Sequence, residues 1–219
     1  MKEHLLVIFP HPDDESFGTA GVIAQHTEKG IPVTYVCATL GEMGRNMGKP
    51  PVANRETLPE YRKKELKNAC EIMGIQDLRM LGMRDKTLEF EDPEVFADLI
   101  GEIIDEVQPT LVVSHYPGYA VHPDHNATGE AVVQAISRMP KEEQPPLHCH
   151  AFSANTKEDL GDPDIVVDVR DVLDRKISAL KAHGSQTQLL VSKLSEDDPE
   201  SDPELIKWLG YERFWIYPV

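Results

Sequence analysis

A chain of 219 residues with 40% apolar side chains is long enough for one domain with a sizeable core, and too hydrophobic to be disordered. Its formal net charge of −16, from 38 acidic against 22 basic side chains, argues against nucleic acid and against anionic membrane surfaces, which both need clustered Lys and Arg. Met1 leads within a few residues into an apolar strand, so no signal peptide is read, and no apolar run approaches the ~18 residues of a membrane span.

The apolar run "HLLVIF" (4–9) reads as a buried strand that breaks at Pro10. Residues 18–29 carry apolar side chains at helical spacing and end at Gly30, a C-cap signal. "PVTYVCAT" (32–39) is β-branched and reads as a strand. Residues 40–57, rich in Gly and Pro, form a long loop of the kind that often carries function. A helix is expected over 58–74, a strand over 78–83, a helix over 93–107, a strand over 110–116 and a helix over 124–139. Strands over 147–154 and 164–169 and a helix over 171–185 complete the pattern, and 195–204 reads as a solvated acidic segment. Cys37, Cys70 and Cys149 are widely spaced and odd in number, so they read as reduced thiols in the core of a cytoplasmic protein. Strand–helix alternation of this kind predicts an α/β fold: one Rossmann-like domain over 1–219, with a mostly parallel sheet and helices on both faces. Ligands of such sheets bind outside the carboxyl ends of the strands.

Two polar clusters fall at that edge. The first is "PHPDDE", where His11, Asp13, Asp14 and Glu15 crowd the end of the first strand. The second is "VHPDHN", after the strand "TLVVSHY". Crowded carboxylates need a cation, and His with Asp suits zinc or a similar divalent ion. His11 and Asp14 flank a turn, and His125 at the first turn of a helix supplies a third ligand, leaving a fourth position open for water as in catalytic sites. Asp13 then lies beside the metal as general base. His122 remains for a developing oxyanion, with Asp124 as the carboxylate that orients an imidazole. Against this, Asp13 or Asp124 alone is equally well read as a helix cap. The coincidence of two clusters, each after a strand, decides for function.

These motifs resemble the LmbE/PIG-L-like zinc de-N-acetylases: "PHPDDES" resembles their first zinc motif and "HPDH" their second. The likeness continues through "TLGEMG" (39–44), "YRKKELKNACEIMG" (61–74), "MRD" (83–85) and "KAHGSQ" (181–186), departing at Pro10 where Ala is usual. The resemblance implies hydrolysis of an N-acetylglucosaminide, with one Zn2+ on His11, Asp14 and His125, Asp13 as base and His122 supported by Asp124. It further implies that Arg62 reaches into the active site and that Glu42 and Asp85 bind sugar hydroxyls. Within the family the chain looks most like the bacillithiol-pathway enzymes that deacetylate N-acetylglucosaminyl-malate. Arg62, with Arg45, Arg55 and Arg84 as further candidates, would then face the malate carboxylates, since an Arg–carboxylate pair is the fitting geometry in so acidic a protein. The bland reading of Arg62 is a surface partner for Glu60 or Glu65. Tyr119 is a candidate pocket wall, and His183 a helix-terminal side chain. His4, His26, His115, His148 and His150 read as structural.

Three rivals remain at this stage. An amidase of bacillithiol S-conjugates or a chitooligosaccharide deacetylase keeps the chemistry and changes the substrate. A two-metal phosphoesterase needs more ligands than the three in view. A metal-storing module has no use for a base beside an open metal position. The sequence leaves a homo-oligomer open.

Overall fold

The computed structural model describes residues 2–191 and 207–219, so the acidic segment expected at 195–204 lies outside the described residues. The strands are β1 (Leu5–Phe9), β2 (Val33–Thr39), β3 (Asp77–Met83), β4 (Leu111–His115), β5 (Leu147–His150), β6 (Ile165–Asp168) and β7 (Tyr211–Ile216). The helices are α1 (Asp14–Gly18), α2 (Ala20–Glu28), α3 (Leu58–Met73), α4 (Pro93–Val107), α5 (Pro123–Ser137), α6 (Thr156–Leu160), α7 (Leu173–Ala182) and α8 (Gly184–Val191). The strands form one sheet in the order β3-β2-β1-β4-β5-β7-β6. Its first five strands are parallel, and β7 runs antiparallel between β5 and β6.

Successive side chains of a strand point to opposite faces, and β1 shows what that does here. Leu5, Val7 and Phe9 join the core shared with α2, α3 and α7, through residues such as Ile23, Met73 and Ala179. Leu6 and Ile8 join the other core, with Phe96 and Ile100 of α4 and Val132 and Ile136 of α5. A strand buried on both faces needs an unbroken apolar run, which is what "LLVIF" supplies.

Local signals set most helix ends. Asp92 accepts from the Glu94 N–H at 2.9 Å and Pro93 opens α4, a start built from capping chemistry. Gly74 ends α3 with φ +79°.

Four differences from expectation have physical reasons. The helix expected over 18–29 begins earlier, as α1 directly behind the polar cluster, and bends at Thr19 into α2. The helix expected over 171–185 breaks at His183, whose ring turns inward to Glu15, and resumes as α8. Strand β5 stops at His150, because the chain beyond it turns to bond through the Phe152 and Ser153 N–H groups to the Tyr119 carbonyl. Helix α6 and strand β7 were not expected. Glu212 of β7 looks like a solvent-facing residue, yet it is buried, accepting from Lys176 Nζ at 2.7 Å and from the Gly21 and Val22 N–H groups at 2.8 Å each. The positive end of α2 and a buried ammonium together neutralise it.

Cys37, Cys70 and Cys149 are free and buried. No helix among the described residues is long and apolar enough to cross a membrane. The strand order reverses between β1 and β4, so a crevice opens at their carboxyl ends. Both polar clusters follow those two strands.

Candidate metal centre and active site

Beyond β1 the chain turns sharply, and the His11 N–H closes the turn on Asp14 Oδ2 at 2.9 Å. Asp13, between them, has φ +106°, a conformation that L side chains rarely adopt. Such strain persists only where surrounding contacts impose it, and it gathers at functional sites. From the other side of the crevice comes α5. His122 caps it, with Nδ1 accepting from the Asp124 N–H at 3.1 Å, and His125 follows in its first turn. Gly129 lets α5 approach β4, since a Cβ there would lie 2.4 Å from the His115 carbonyl oxygen.

The structure brings His11, Asp14 and His125 together. His11 Nδ1 and His125 Nε2 are 3.2 Å apart. His11 Nδ1 lies 3.5 Å from Asp14 Oδ2, and His125 Nε2 lies 3.3 Å from Asp14 Oδ1. Metal–nitrogen bonds of 2.0–2.1 Å in a tetrahedron imply ligand–ligand edges of about 3.3–3.4 Å. The far side of each ring fixes its tautomer. His125 Nδ1 donates to the Ala120 carbonyl at 3.0 Å, leaving Nε2 its lone pair. His11 Nε2 faces Asp124 Oδ2 at 3.3 Å and Asp85 Oδ1 at 3.2 Å, so it carries a proton. Two lone pairs and a carboxylate therefore converge on one point, an arrangement that fits a divalent cation. The groups close enough by distance to share an ion are His11 with His122 and His125, Asp14 with His115 and His125, and His11 with Asp85 and Asp124. His122, however, accepts at Nδ1, so its Nε2 is a donor in the neutral ring.

The charges agree. Burial alone would lower the His11 pKa, but hydrogen bonds to Asp124, Asp14 and Asp85 raise it well above the usual value. Burial would raise Asp14, but the charge of His125 and the neighbouring imidazoles of His11, His115 and His125 hold it well below. A bound cation takes the place of those protons. Asp13 differs: burial outweighs the Arg62 charge, and with Asp14 and Glu15 nearby its pKa rises to about 6. Asp13 is also held from behind. Glu15 Oε2 accepts its N–H at 3.0 Å, and the same carboxylate takes bonds from Ser16 and from His183 at 2.6 Å each and from Tyr35 at 3.1 Å.

Several expectations need correction. The Asp124 carboxylate orients His11 rather than His122; it is fixed by the Lys86 and Leu88 N–H groups at 2.7 and 3.2 Å, so its direction follows from the loop after β3. Arg62 is not a surface partner of Glu60 or Glu65. It is buried at 4% exposure, donating to the carbonyls of Gly41 (2.8 Å) and Pro12 and to Asp13 Oδ2 at 3.1 Å. Gly41, at φ +60°, is required there, because a Cβ would stand 1.6 Å from Arg62 Nη1. Asp85, likewise buried at 4%, accepts from the Met43 N–H and faces His11 instead of lying open to a sugar. Glu42 accepts from the Asp85 N–H at 2.9 Å. Tyr119 donates to Asp159 at 3.3 Å. Arg45, Arg55 and Arg84 are exposed, and Arg55 donates to the carbonyls of Glu42 and Gly44. Sequence reasoning missed the Glu15–His183 pair and His115, which stacks on His125. The one signal for His115 was its place as the last residue of a strand at the crevice.

Residues 6–136 match the family described as PIG-L, GlcNAc-PI de-N-acetylase. The chain is 57% identical over 217 residues to the probable N-acetyl-alpha-D-glucosaminyl L-malate deacetylase 2 of Bacillus subtilis, covering 99% of this chain and 98% of that one. Among solved structures it resembles the N,N'-diacetylchitobiose deacetylase of Pyrococcus horikoshii, with TM-score 0.72 and 24% identity over 99% of this chain and 84% of that one. It resembles equally the 4-carboxy-2-hydroxymuconate hydratase GalB of Pseudomonas putida, with TM-score 0.72 and 20% identity over 99% of this chain and 97% of that one. The fold is thus shared by a deacetylase and a hydratase, and the reaction must be argued from the site.

Proposed function

The chain belongs to the PIG-L family and is a deacetylase, a hydrolase of N-acetyl amide bonds; from that premise we propose that it removes the acetyl group of N-acetylglucosaminyl L-malate in bacillithiol biosynthesis, using one zinc ion. The observation that carries the reading is the convergence of His11 Nδ1, His125 Nε2 and the Asp14 carboxylate at 3.2–3.5 Å. Bound there, a divalent ion supplies Lewis acidity, polarising the amide carbonyl and acidifying the attacking water.

The protein's own groups do the rest. Asp13, held by Arg62 and by Glu15, takes the proton of the water at neutral pH and returns it to the leaving amine. His122 is pinned at Nδ1 by the Asp124 N–H, so Nε2–H is its donor toward the oxyanion. Asp124 and Asp85 behind His11 keep its ring in one orientation. The buried Arg62 does not reach an aglycone, so the malate carboxylates fall to exposed arginines of the bordering loops. Arg55 is the best placed, since it rests on the loop carbonyls of Glu42 and Gly44 beside Gly41.

Purified, zinc-loaded protein incubated with N-acetylglucosaminyl L-malate should release acetate and leave the free amine, identified by mass spectrometry. Diacetylchitobiose and a neutral methyl N-acetylglucosaminide run in parallel; turnover of either at the malate rate would sink the substrate assignment. The His125→Ala protein should lose most of its metal, and retention of a full equivalent at unchanged affinity would overturn the ligand set.

A further inference from the structure

His115 closes β4 with its imidazole buried at 4% exposure, and among the described residues neither ring nitrogen has a hydrogen-bond partner. A neutral imidazole carries one N–H and a charged one carries two, so at least one buried donor is unspent. Orphaned buried donors are rare, and each has a reason. The ring's surroundings are mostly aromatic: Phe9 at 4.6 Å, Phe152 edge-on at 5.6 Å, and His125 stacked on it at 4.2 Å with 23° between planes. Toward Nε2 stands one acceptor, Asp14 Oδ2, at 3.8 Å. That is too long for a hydrogen bond and short enough for a small rotation of the carboxylate to make one.

His115 is poorly suited to be a ligand itself. Two rings stacked at this angle keep their in-plane lone pairs in nearly parallel planes with centroids 4.2 Å apart, a poor arrangement for meeting at one ion. Asp14 Oδ2 already accepts from the His11 N–H at 2.9 Å. A second donor on Oδ2 would occupy both its lone pairs and leave Oδ1, 3.3 Å from His125 Nε2, for the cation.

We infer that His115 is a positioning residue of the metal centre, its Nε2–H donating to Asp14 Oδ2 and its ring face fixing the plane of His125. The inference rests on the metal site proposed above. It takes hold of two ligands at once, one through a hydrogen bond and one through a stack. Partners of this kind typically govern metal affinity by 10- to 100-fold.

The test is a titration of metal-free protein with Zn2+ in competition with a chromophoric chelator. His115→Phe keeps the stack and deletes the donor, and should bind zinc about 10- to 100-fold more weakly. His115→Gln, which places an amide N–H near the Nε2 position, should recover part of that loss. Affinity of His115→Phe within about twofold of wild type would overturn the inference. Nitrogen-15 NMR of the wild-type imidazoles tests it without any substitution. His115 should be the Nε2–H tautomer in the zinc-loaded protein, and an Nδ1–H tautomer would overturn the inference equally. Wild-type protein that binds no zinc would instead defeat the metal site itself, a result distinct from either.

Discussion

Arg62→Met removes the guanidinium from Asp13 while keeping an unbranched stem inside α3. Asp13 Oδ2 and the Pro12 carbonyl lose their donor, and the Gly41 carbonyl keeps only the Gly44 N–H at 3.0 Å. Removing one partner of a buried ion pair costs about 3–5 kcal/mol. Asp13 is 17% exposed, so the lower end, about 3 kcal/mol, applies. At roughly 2–4 °C per kcal/mol for a domain of this size, Tm should fall on the order of 6–12 °C. The second effect is on catalysis. Burial raises the Asp13 pKa and the Arg62 charge opposes it, so the substitution raises it further above about 6. Asp13 must be ionised to act as base, so the acid limb of kcat/KM moves to higher pH. Bound metal lowers the Asp13 pKa in both proteins and leaves the sign of the difference unchanged. The assay is kcat/KM against pH for the malate glycoside and a neutral N-acetylglucosaminide on zinc-loaded enzyme. Both substrates should lose the same factor, with the same displacement of the limb. A loss confined to the malate glycoside, with the limb unmoved, would show that Arg62 reaches the aglycone and that its buried engagement with Asp13 is misread.

Asp13→Asn should keep its zinc and lose about two to four decades of kcat, the range for a positioned general base; metal lost along with activity, measured by native mass spectrometry, would make Asp13 a ligand. Acid should destabilise the protein partly through His150, which is buried against Phe214, bonded to Thr19, and lowered by burial to about 3. Below about pH 6.5 the unfolded chain binds a proton there that the folded chain refuses, so stability falls by about 1.4 kcal/mol per pH unit until the folded pKa is reached. In urea unfolding, the loss between pH 7 and pH 5 should therefore be about 2 kcal/mol smaller for His150→Gln than for wild type, and equal losses would contradict the assignment.

The parts of this fold that were legible in the sequence are those whose causes are local. Helix α4 has the expected bounds because Asp92, Pro93 and the stripe of Phe96, Ile100 and Ile104 act within one segment. Strand β1 was visible because burial on both faces demands an unbroken apolar run, and β2 because it is rich in β-branched residues. Strand β7 was hidden because the charge of Glu212 is answered by Lys176 and the start of α2, both far away in the chain. The two His–Pro–Asp clusters marked the crevice, but not which partner each carboxylate takes. Asp124 turns to His11 because the loop after β3 supplies two N–H groups from beneath, and no motif encodes where that loop passes. The burial of Arg62 against Asp13 was not legible, because it depends on Gly41 yielding the space for its guanidinium.

The interior position of β7 bears on how the molecule is made. Residues 211–216 leave a ribosome after the other six described strands, yet they stand between β5 and β6 in the finished sheet. Until they emerge, among the described residues β5 has an unpaired edge, β6 has no neighbouring strand, and Lys176 lacks the Glu212 carboxylate. The five parallel strands can assemble during synthesis, but the far side of the sheet must wait for a contact between residues as distant as Gly21 and Glu212. Pairings of such long sequence separation are slow to form. A nascent chain stalled short of that strand would display open strand edges of the kind that chaperones shield and that aggregation exploits.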